Sequence, residues 1–572
     1  MNVLGIHGNV FDPNGTVNES SASIVVDGKL IACIAEERLS RQKVDGKFPN
    51  LAIKEVLKLS KLAIEDIDEV AVTCLHPYQT SKKYFDSAAI TYKDTGVFLK
   101  DKLKDFGWFS IYHKIKSNKD FYLTVEGKEF KINFNDHHYC HAAGAYYTSP
   151  FDNALVLTLD GGGDGLDGGA YIGSGTKLER FLEIPHFQSP GTMYSAVTHD
   201  LGFKRHRHEG KITGLAAYGN PDKKRLGLEN LMNYDKKKKH FVSAKVANHH
   251  KNLIAKSDYF FPLLEKFPKE DLAAVTQSIF EEELLYFIHD AVAVAKEKGY
   301  HFENLCLAGG CFANVKVNQR LYETGYFKDI FVFPAMGDDG LSPGAALLTY
   351  YKAAAPSDKI NSAITDTYLG GGFSDKEIEE ALAKYNLAYE KLPDIEEKVG
   401  AILADGKIVA RCNGRMEYGP RALGNRSIIG APFDQEINNW LNDKLNRTEF
   451  MPFAPSILFE YADDYLVNYA DERAAEFMTM TYDIKEGMKE KIPAVVHIDN
   501  TARPQIVKKE ANSSYHKIIS SFYEKTGVPV VLNTSFNMHE EPIVYTPEDA
   551  IRGFLDGKLD FLAIGDYLVP QP

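Results

Sequence analysis

The chain is poor in the features that would settle its class quickly. Only six cysteines occur in 572 residues (Cys33, Cys74, Cys140, Cys306, Cys311, Cys412), with no C-x-x-C pair. That scatter excludes a disulfide framework and reads as reduced intracellular thiols. No apolar run approaches the roughly 18 residues a membrane span needs. The opening, Met1-Asn2-Val3-Leu4-Gly5-Ile6-His7-Gly8, has no basic segment followed by a long apolar stretch, so no signal peptide is expected. These absences together predict a cytoplasmic protein. Positive charge is also short: the formal net charge of −13 argues against a nucleic-acid partner, which calls for a basic face. There is no G-x-x-x-x-G-K-[ST] loop and no G-x-S-x-G elbow, which disfavours P-loop enzymes and α/β-hydrolases.

What is present is a soluble composition, 44% hydrophobic and 25% charged, long enough for two large domains. Apolar runs at Val3–Ile6, Ser21–Val26 and Leu30–Ala35, with Asp27-Gly28 between the last two, predict strands and a hairpin. A helical pattern follows near Leu51–Leu59, then a strand at Val70–Thr73. The logic restarts at Ala154–Leu159, with Asp160 through Gly165 read as a turn before a strand at Gly169–Gly173. This recurrence resembles the duplicated ribonuclease-H-like halves of the actin/sugar-kinase superfamily, an α/β fold. Asn304–Ala308 runs into Gly309-Gly310, and a helix is expected over Ser342–Ala354. The lysine run Lys236–Lys239 reads as a solvated loop. The polar stretch between Ala355 and Gly372 divides a first domain, 1–357, from a second, 366–572.

Several groups carry chemistry. His137 and His141 are four apart in a helical segment and share a face, with His138 directed elsewhere. Asp160 and Asp338 sit at turn positions. Two histidines and two carboxylates form a mixed N/O set suited to iron, manganese or zinc. Gly161-Gly162 and Gly309-Gly310, with Lys211 and Asn314, can offer backbone and side-chain donors to a nucleotide phosphate. In the second domain, Arg415, Arg421, Arg426, Arg447 and Arg503 are candidate anion ligands, because guanidinium forks match phosphate and carboxylate oxygens; two or three are expected on the ligand and the rest in structural ion pairs. Asn533, Ser535 and Asn537 can hydrogen-bond a nucleotide.

These words, in this order, resemble the NodU-type carbamoyltransferase family, which includes antibiotic-tailoring enzymes. The match runs from Val26-Asp27-Gly28-Lys29 and Glu36–Arg41, through the His137/His141 pair, Glu209-Gly210-Lys211, Gly309–Asn314 and Gly337-Asp338, to Gly419–Gly424 and Asn533–Asn537. The resemblance implies a first domain like the tRNA threonylcarbamoyltransferase subunit and a second like threonylcarbamoyl-adenylate synthase. It implies that carbamoyl phosphate and ATP, with Mg2+ an additional candidate ion, give carbamoyl adenylate in the second domain. The carbamoyl group then passes, at an Fe(II) or other divalent-metal site, to a hydroxyl of a small molecule. His137, His141, Asp160 and Asp338 match the family's metal ligands, and Arg415, Glu417, Arg421, Arg447, Arg503 and Asn533 fall in its adenylate-forming pocket. One departure stands out: many relatives have His-Asp where this chain has Asn18-Glu19, so a histidine base does not carry over, and Glu19 or His7 is the expected substitute. A tRNA threonylcarbamoylation enzyme and a non-catalytic nucleotide-binding module are the competing expectations. A homodimer is left open.

Overall fold

A computed structural model describes residues 1–10, 17–74, 121–186, 189–242, 260–360, 362–445 and 450–572. The first β-rich runs form an antiparallel meander of β1 (Asn2–His7), β2 (Ser21–Val26) and β3 (Lys29–Ala35). Asp27 and Gly28, at φ 48° and 80°, take the two left-handed positions of the β2–β3 turn. β4 (Glu69–Val72) lies parallel to β1, and β6 (Lys128–Phe134) parallel to β4, with β5 (Tyr122–Val125) at the edge. The order is β3-β2-β1-β4-β6-β5.

A second sheet repeats this plan. β7 (Asn153–Gly163), β8 (Leu166–Ser174) and β9 (Lys177–Pro185) form a meander. After a small hairpin, β10 (Asn233–Asp235) and β11 (His240–Val242), come β12 (Asn304–Ala308), parallel to β7, and β13 (Asp329–Val332), parallel to β12. The series β9-β8-β7-β12-β13 matches β3-β2-β1-β4-β6 strand for strand and sense for sense, so the duplicated ribonuclease-H-like plan is present.

The Asp-Gly signals do not mark equivalent places in the two repeats. Asp160 through Gly163 continue β7 rather than turn, because the β7–β8 register shifts between Leu159 and Gly163. The turn is Asp164-Gly165, at φ 51° and 81°, and it joins the first and second strands of its repeat; Asp27-Gly28 joins the second and third. The lysine run caps the β10–β11 turn, where Lys239 Nζ lies 2.7 Å from Asp290.

Two helices, His137–Thr148 and Leu341–Ala354, are packed together between the sheets. Their contact is lined by small residues. A Cβ on Gly344 would lie 1.9 Å from the Cys140 carbonyl oxygen, so only glycine permits this approach. The close packing brings the first turns of both helices, and with them His137 and Asp338, to one end of the sheets.

The second domain holds an eight-stranded mixed sheet. It contains β14 (Glu390–Lys391), β15 (Val409–Cys412), β16 (Arg426–Gly430), β17 (Ala454–Leu458), β20 (Gln505–Val507), β21 (Val530–Ser535), β22 (Phe561–Ile564) and β23 (Tyr567–Pro570), and β18 (Tyr482–Asp483) pairs with β19 (Thr501–Ala502) apart from it. The order is β14-β23-β22-β15-β16-β21-β17-β20. Helices Ile395–Ala404 and Ser513–Thr526 bury Val399, Leu403, Ile518 and Phe522 against one face.

Among the described residues no regular element lies between Ala354 and Asp375, yet this stretch is pinned to both domains. Ile364 N donates to Thr148 O, Cys33 N on β3 donates to Leu369 O, and Gly370 N donates to Met416 O. Arginines complete the join: Arg38 Nη2 donates to Gly419 O, and Arg41 donates to Pro542 O and Ile543 O. Among the described residues no helix is long and apolar enough to cross a membrane.

Candidate active site

Asp136 caps the His137–Thr148 helix, its Oδ1 accepting from Tyr139 N at 3.0 Å. That start places His137 and His141 one turn apart over the end of β7. His137 Nε2 is 2.7 Å and His141 Nε2 3.2 Å from Asp160 Oδ2; the same nitrogens lie 3.8 and 3.6 Å from Asp338 Oδ1. The four candidate donor atoms all fall within 4.8 Å of one another. His138 is directed to Leu166 O at 3.1 Å, although its Nε2 also comes within 3.7 Å of Asp160 Oδ1.

The field at this cluster favours positive charge. Burial acts to lower the His137 imidazole, but the charge and hydrogen bond of Asp160, aided by Asp338 and Asp164, raise it to about 10. Burial would raise Asp160, yet His138 and His137 hold it well below the ordinary carboxylate range. A buried site that retains a proton so strongly suits a cation, and the N/O donor set fits a divalent first-row metal. His7, at the end of β1, faces the same cluster. Burial lowers it to about 4, and its Nδ1 is hydrogen-bonded to Thr73 Oγ1.

A cavity of about 870 Å3 opens from this cluster and is walled by both domains. From the first domain come Asn18, Glu19, Asp160, Gly161, Gly162, Lys211, Gly310, Asn314 and Asp338; from the second come Arg421, Arg503, Asn533, Ser535 and Asn537. Asn18 Nδ2 is 3.4 Å from Asp338 Oδ2, and Glu19 Oε2 accepts from Asp339 N at 3.2 Å. Burial and the charges of Asp339, Glu37 and Asp338 push the Glu19 carboxyl well above its usual range. Asn314 lines the wall with its amide already engaged: Oδ1 accepts from Val317 N and Gln277 Nε2, and Nδ2 donates to Gln277 Oε1. Asn533 Nδ2 donates to Ala422 O, Ser456 Oγ and Gln505 Oε1, leaving Oδ1 without a partner among the described residues.

Four predicted ligand residues, Gly309, Arg415, Glu417 and Arg426, lie apart from the cavity wall. Gly309, at φ 101°, stands where a Cβ would be 2.3 Å from Leu159 O, which explains the glycine by strand packing rather than by a ligand. Arg415 donates to Gly370 O, Leu369 O and Ile31 O. Glu417, 3% exposed, accepts through Oε1 from Leu423 N, Asn425 N and Arg426 N. Arg426 donates likewise to Asn413 O and Gly414 O. These groups engage backbone and shape the loop behind the cavity, while Glu417 Oε2 is buried with no partner among the described residues. Arg447 lies outside the described residues.

The wall also contains groups that the sequence did not single out: Arg205 and Arg207, with Lys43, whose carbonyl accepts from Arg207 Nη2, and His539 and Glu540; His208 lines it too. Glu540 joins this rim across the domains, accepting from Lys204 Nζ at 2.5 Å, Arg207 Nη1 at 3.2 Å and His208 Nε2 at 2.8 Å. The signal was the basic run Lys204-Arg205-His206-Arg207-His208, immediately ahead of the Glu209-Gly210-Lys211 word. His186 is a further wall residue and forms a pair with buried Asp167.

The family model for the carbamoyltransferase N-terminus matches residues 15–347, and that for the carbamoyltransferase C-terminus matches residues 400–571. An uncharacterised protein of Methanocaldococcus jannaschii is 33% identical over 97% of this chain and 98% of its own length. Nodulation protein NolNO of Sinorhizobium fredii is 31% identical over 99% of this chain and 81% of its own. Among solved structures, T. kodakarensis HypF overlaps in part, with a TM-score of 0.33 at 12% identity, covering 63% of this chain and 49% of that one. With both family domains matched in order and relatives aligned over nearly its whole length, the chain belongs to the carbamoyltransferase family and is a carbamoyltransferase.

Proposed function

We propose that this carbamoyltransferase joins carbamoyl phosphate and ATP into carbamoyl adenylate at the second-domain side of the cavity. It then transfers the carbamoyl group at the first-domain side to a hydroxyl of a small molecule, a natural product or a sugar. The observation that carries this reading is the continuity of one cavity from Arg421 and Arg503 to Asp160 and Asp338, the two acids of the His137–His141–Asp160–Asp338 cluster. A mixed carbamic–phosphoric anhydride hydrolyses readily, and a walled route between two sites protects it from water.

In this reading Arg421 and Arg503 hold the phosphate oxygens, and Asn533, Ser535 and Asn537 position the nucleotide. Adenylate formation releases pyrophosphate from ATP and inorganic phosphate from carbamoyl phosphate, with one water consumed. Lys211 and the rim around Arg205 and Arg207 balance charge as the anion crosses the cavity. Iron(II), or another divalent ion, held by His137, His141, Asp160 and Asp338 would supply Lewis-acid polarisation of the bound donor. Six free thiols and the net charge of −13 support a cytoplasmic setting without a nucleic-acid partner.

The test is incubation of metal-loaded protein with ATP and carbamoyl phosphate and no acceptor, scored by pyrophosphate release and by mass spectrometry for carbamoyl adenylate. Wild type should form it, and Arg421→Ala should not. A folded, metal-loaded wild type that forms none would sink the reading.

A further inference from the structure

Transfer to a hydroxyl needs a group to take its proton, and the first loop offers little for this. Asn18 stands where the resemblance leads one to expect histidine, and Glu19 Oε2 is already bonded to Asp339 N. The cavity supplies another candidate from the second repeat. His186 follows directly on β9 and lines the cavity beside Asp160, Gly161 and Gly162. Its Nδ1 lies 2.7 Å from Asp167 Oδ1. Asp167 is the extra residue of a bulge, because the β8–β9 register runs Leu166↔Pro185 and then Gly168↔Ile184. Bulges re-aim a side chain, and this one turns the carboxylate toward His186. Asp167 is 1% exposed and the His186 side chain 37%, so the orienting acid is sealed in and the imidazole is open to the cavity.

Gly162 belongs to the same arrangement. At φ 122°, a Cβ there would lie 2.3 Å from His186 Nδ1. The glycine therefore makes room for the imidazole.

We propose that His186, oriented by Asp167, is the general base for the acceptor hydroxyl; this rests on the adenylate reading above. Nε2 takes the hydroxyl proton while the acceptor oxygen forms its bond to the carbamoyl carbon. The bond from that carbon to the phosphate oxygen breaks, and its electron pair leaves with AMP. The proton on Nε2 then passes to solvent. Asp167 keeps the other proton on Nδ1 and is a positioning residue. The charged groups facing the imidazole are Asp167 from β8 and Asp160 from β7. Burial acts to lower it, and the hydrogen bond and charge of Asp167, with the charge of Asp160, outweigh that and raise it.

The experiment supplies ATP and carbamoyl phosphate with methanol as the probe acceptor, and measures pyrophosphate and methyl carbamate from pH 5 to 9. Wild type should show methyl carbamate rising with pH along a histidine limb. His186→Gln should lower the ratio of methyl carbamate to pyrophosphate on the order of 100-fold and abolish the limb. Asp167→Asn should keep a limb and shift it to lower pH. A His186→Gln ratio and limb equal to wild type would overturn the assignment. If His186→Gln fails to fold, His186→Gly decides: restoration of methyl carbamate by added imidazole supports the base, and no restoration overturns it. A wild type that releases no pyrophosphate overturns the underlying reading instead, so the two failures are distinguishable.

Discussion

Replacing Glu417 separates a ligand-binding carboxylate from one that holds a loop. Glu417 Oε1 accepts three backbone N–H groups, from Leu423 at 2.8 Å, Asn425 at 2.7 Å and Arg426 at 3.2 Å, in a setting only 3% exposed. Glu417→Ala leaves all three without an acceptor. Each unsatisfied buried donor costs about 1–3 kcal/mol, so the sum is at least about 3 kcal/mol even after water enters the vacated space. For a domain of about 200 residues each kcal/mol moves the midpoint by about 2–4 °C, which gives a fall on the order of 10 °C. Glu417→Gln keeps an oxygen in place and loses only the charge, at a cost of about 1 kcal/mol. Thermal unfolding of the full chain followed by circular dichroism reads both. A Glu417→Ala protein melting with wild type would refute the loop-holding argument. A Glu417→Gln protein that melts normally but forms no carbamoyl adenylate would return the carboxylate to the chemistry.

Two further outcomes are expected. His141→Ala and Asp160→Asn should each weaken divalent-metal binding by at least about 100-fold, measured by elemental analysis after dialysis, and unchanged metal content would remove the quartet as a site. Asp329 is raised to about 6, chiefly by burial. Its neutral form is favoured in the fold, so its contribution is complete below the unfolded value near 3.8 and is lost as pH rises through about 6. Asp329→Asn should therefore raise the melting midpoint at pH 8 and leave it unchanged below pH 4, and an equal shift at both pH values would contradict this.

The candidate metal quartet illustrates what a linear sequence can carry. His137 and His141 are legible because helical spacing alone puts them on one face, and the acids stand beside glycines in the sequence, although Asp160 and Gly161–Gly163 prolong a strand rather than form the expected turn. The duplicated plan was legible through its apolar runs, but not through its Asp-Gly pairs, which occupy different turns in the two repeats. The arginine-rich loop is harder to read, for a physical reason. A guanidinium serves backbone carbonyls as readily as phosphate oxygens, and Arg415 and Arg426 both turn to carbonyls. Arg421, between them, lines the cavity. Spacing does not distinguish these cases; only the path of the loop does. The Asp167–His186 pair was hidden differently, since it depends on one extra residue in a hairpin register that no local pattern announces.

The strand β3 forms one edge of the first sheet, and the segment that covers it comes from much later in the chain: Cys33 N reaches Leu369 O, and Ile31 O receives Arg415. On the ribosome that edge therefore waits. At about 5–20 residues per second, the 336 residues from Cys33 to Leu369 take roughly 17–67 s to make, during which the outer edge of an apolar strand lacks its later cover. The same stitching that unites the two domains in the finished enzyme makes the nascent chain a natural client for chaperones and ties successful production to uninterrupted translation.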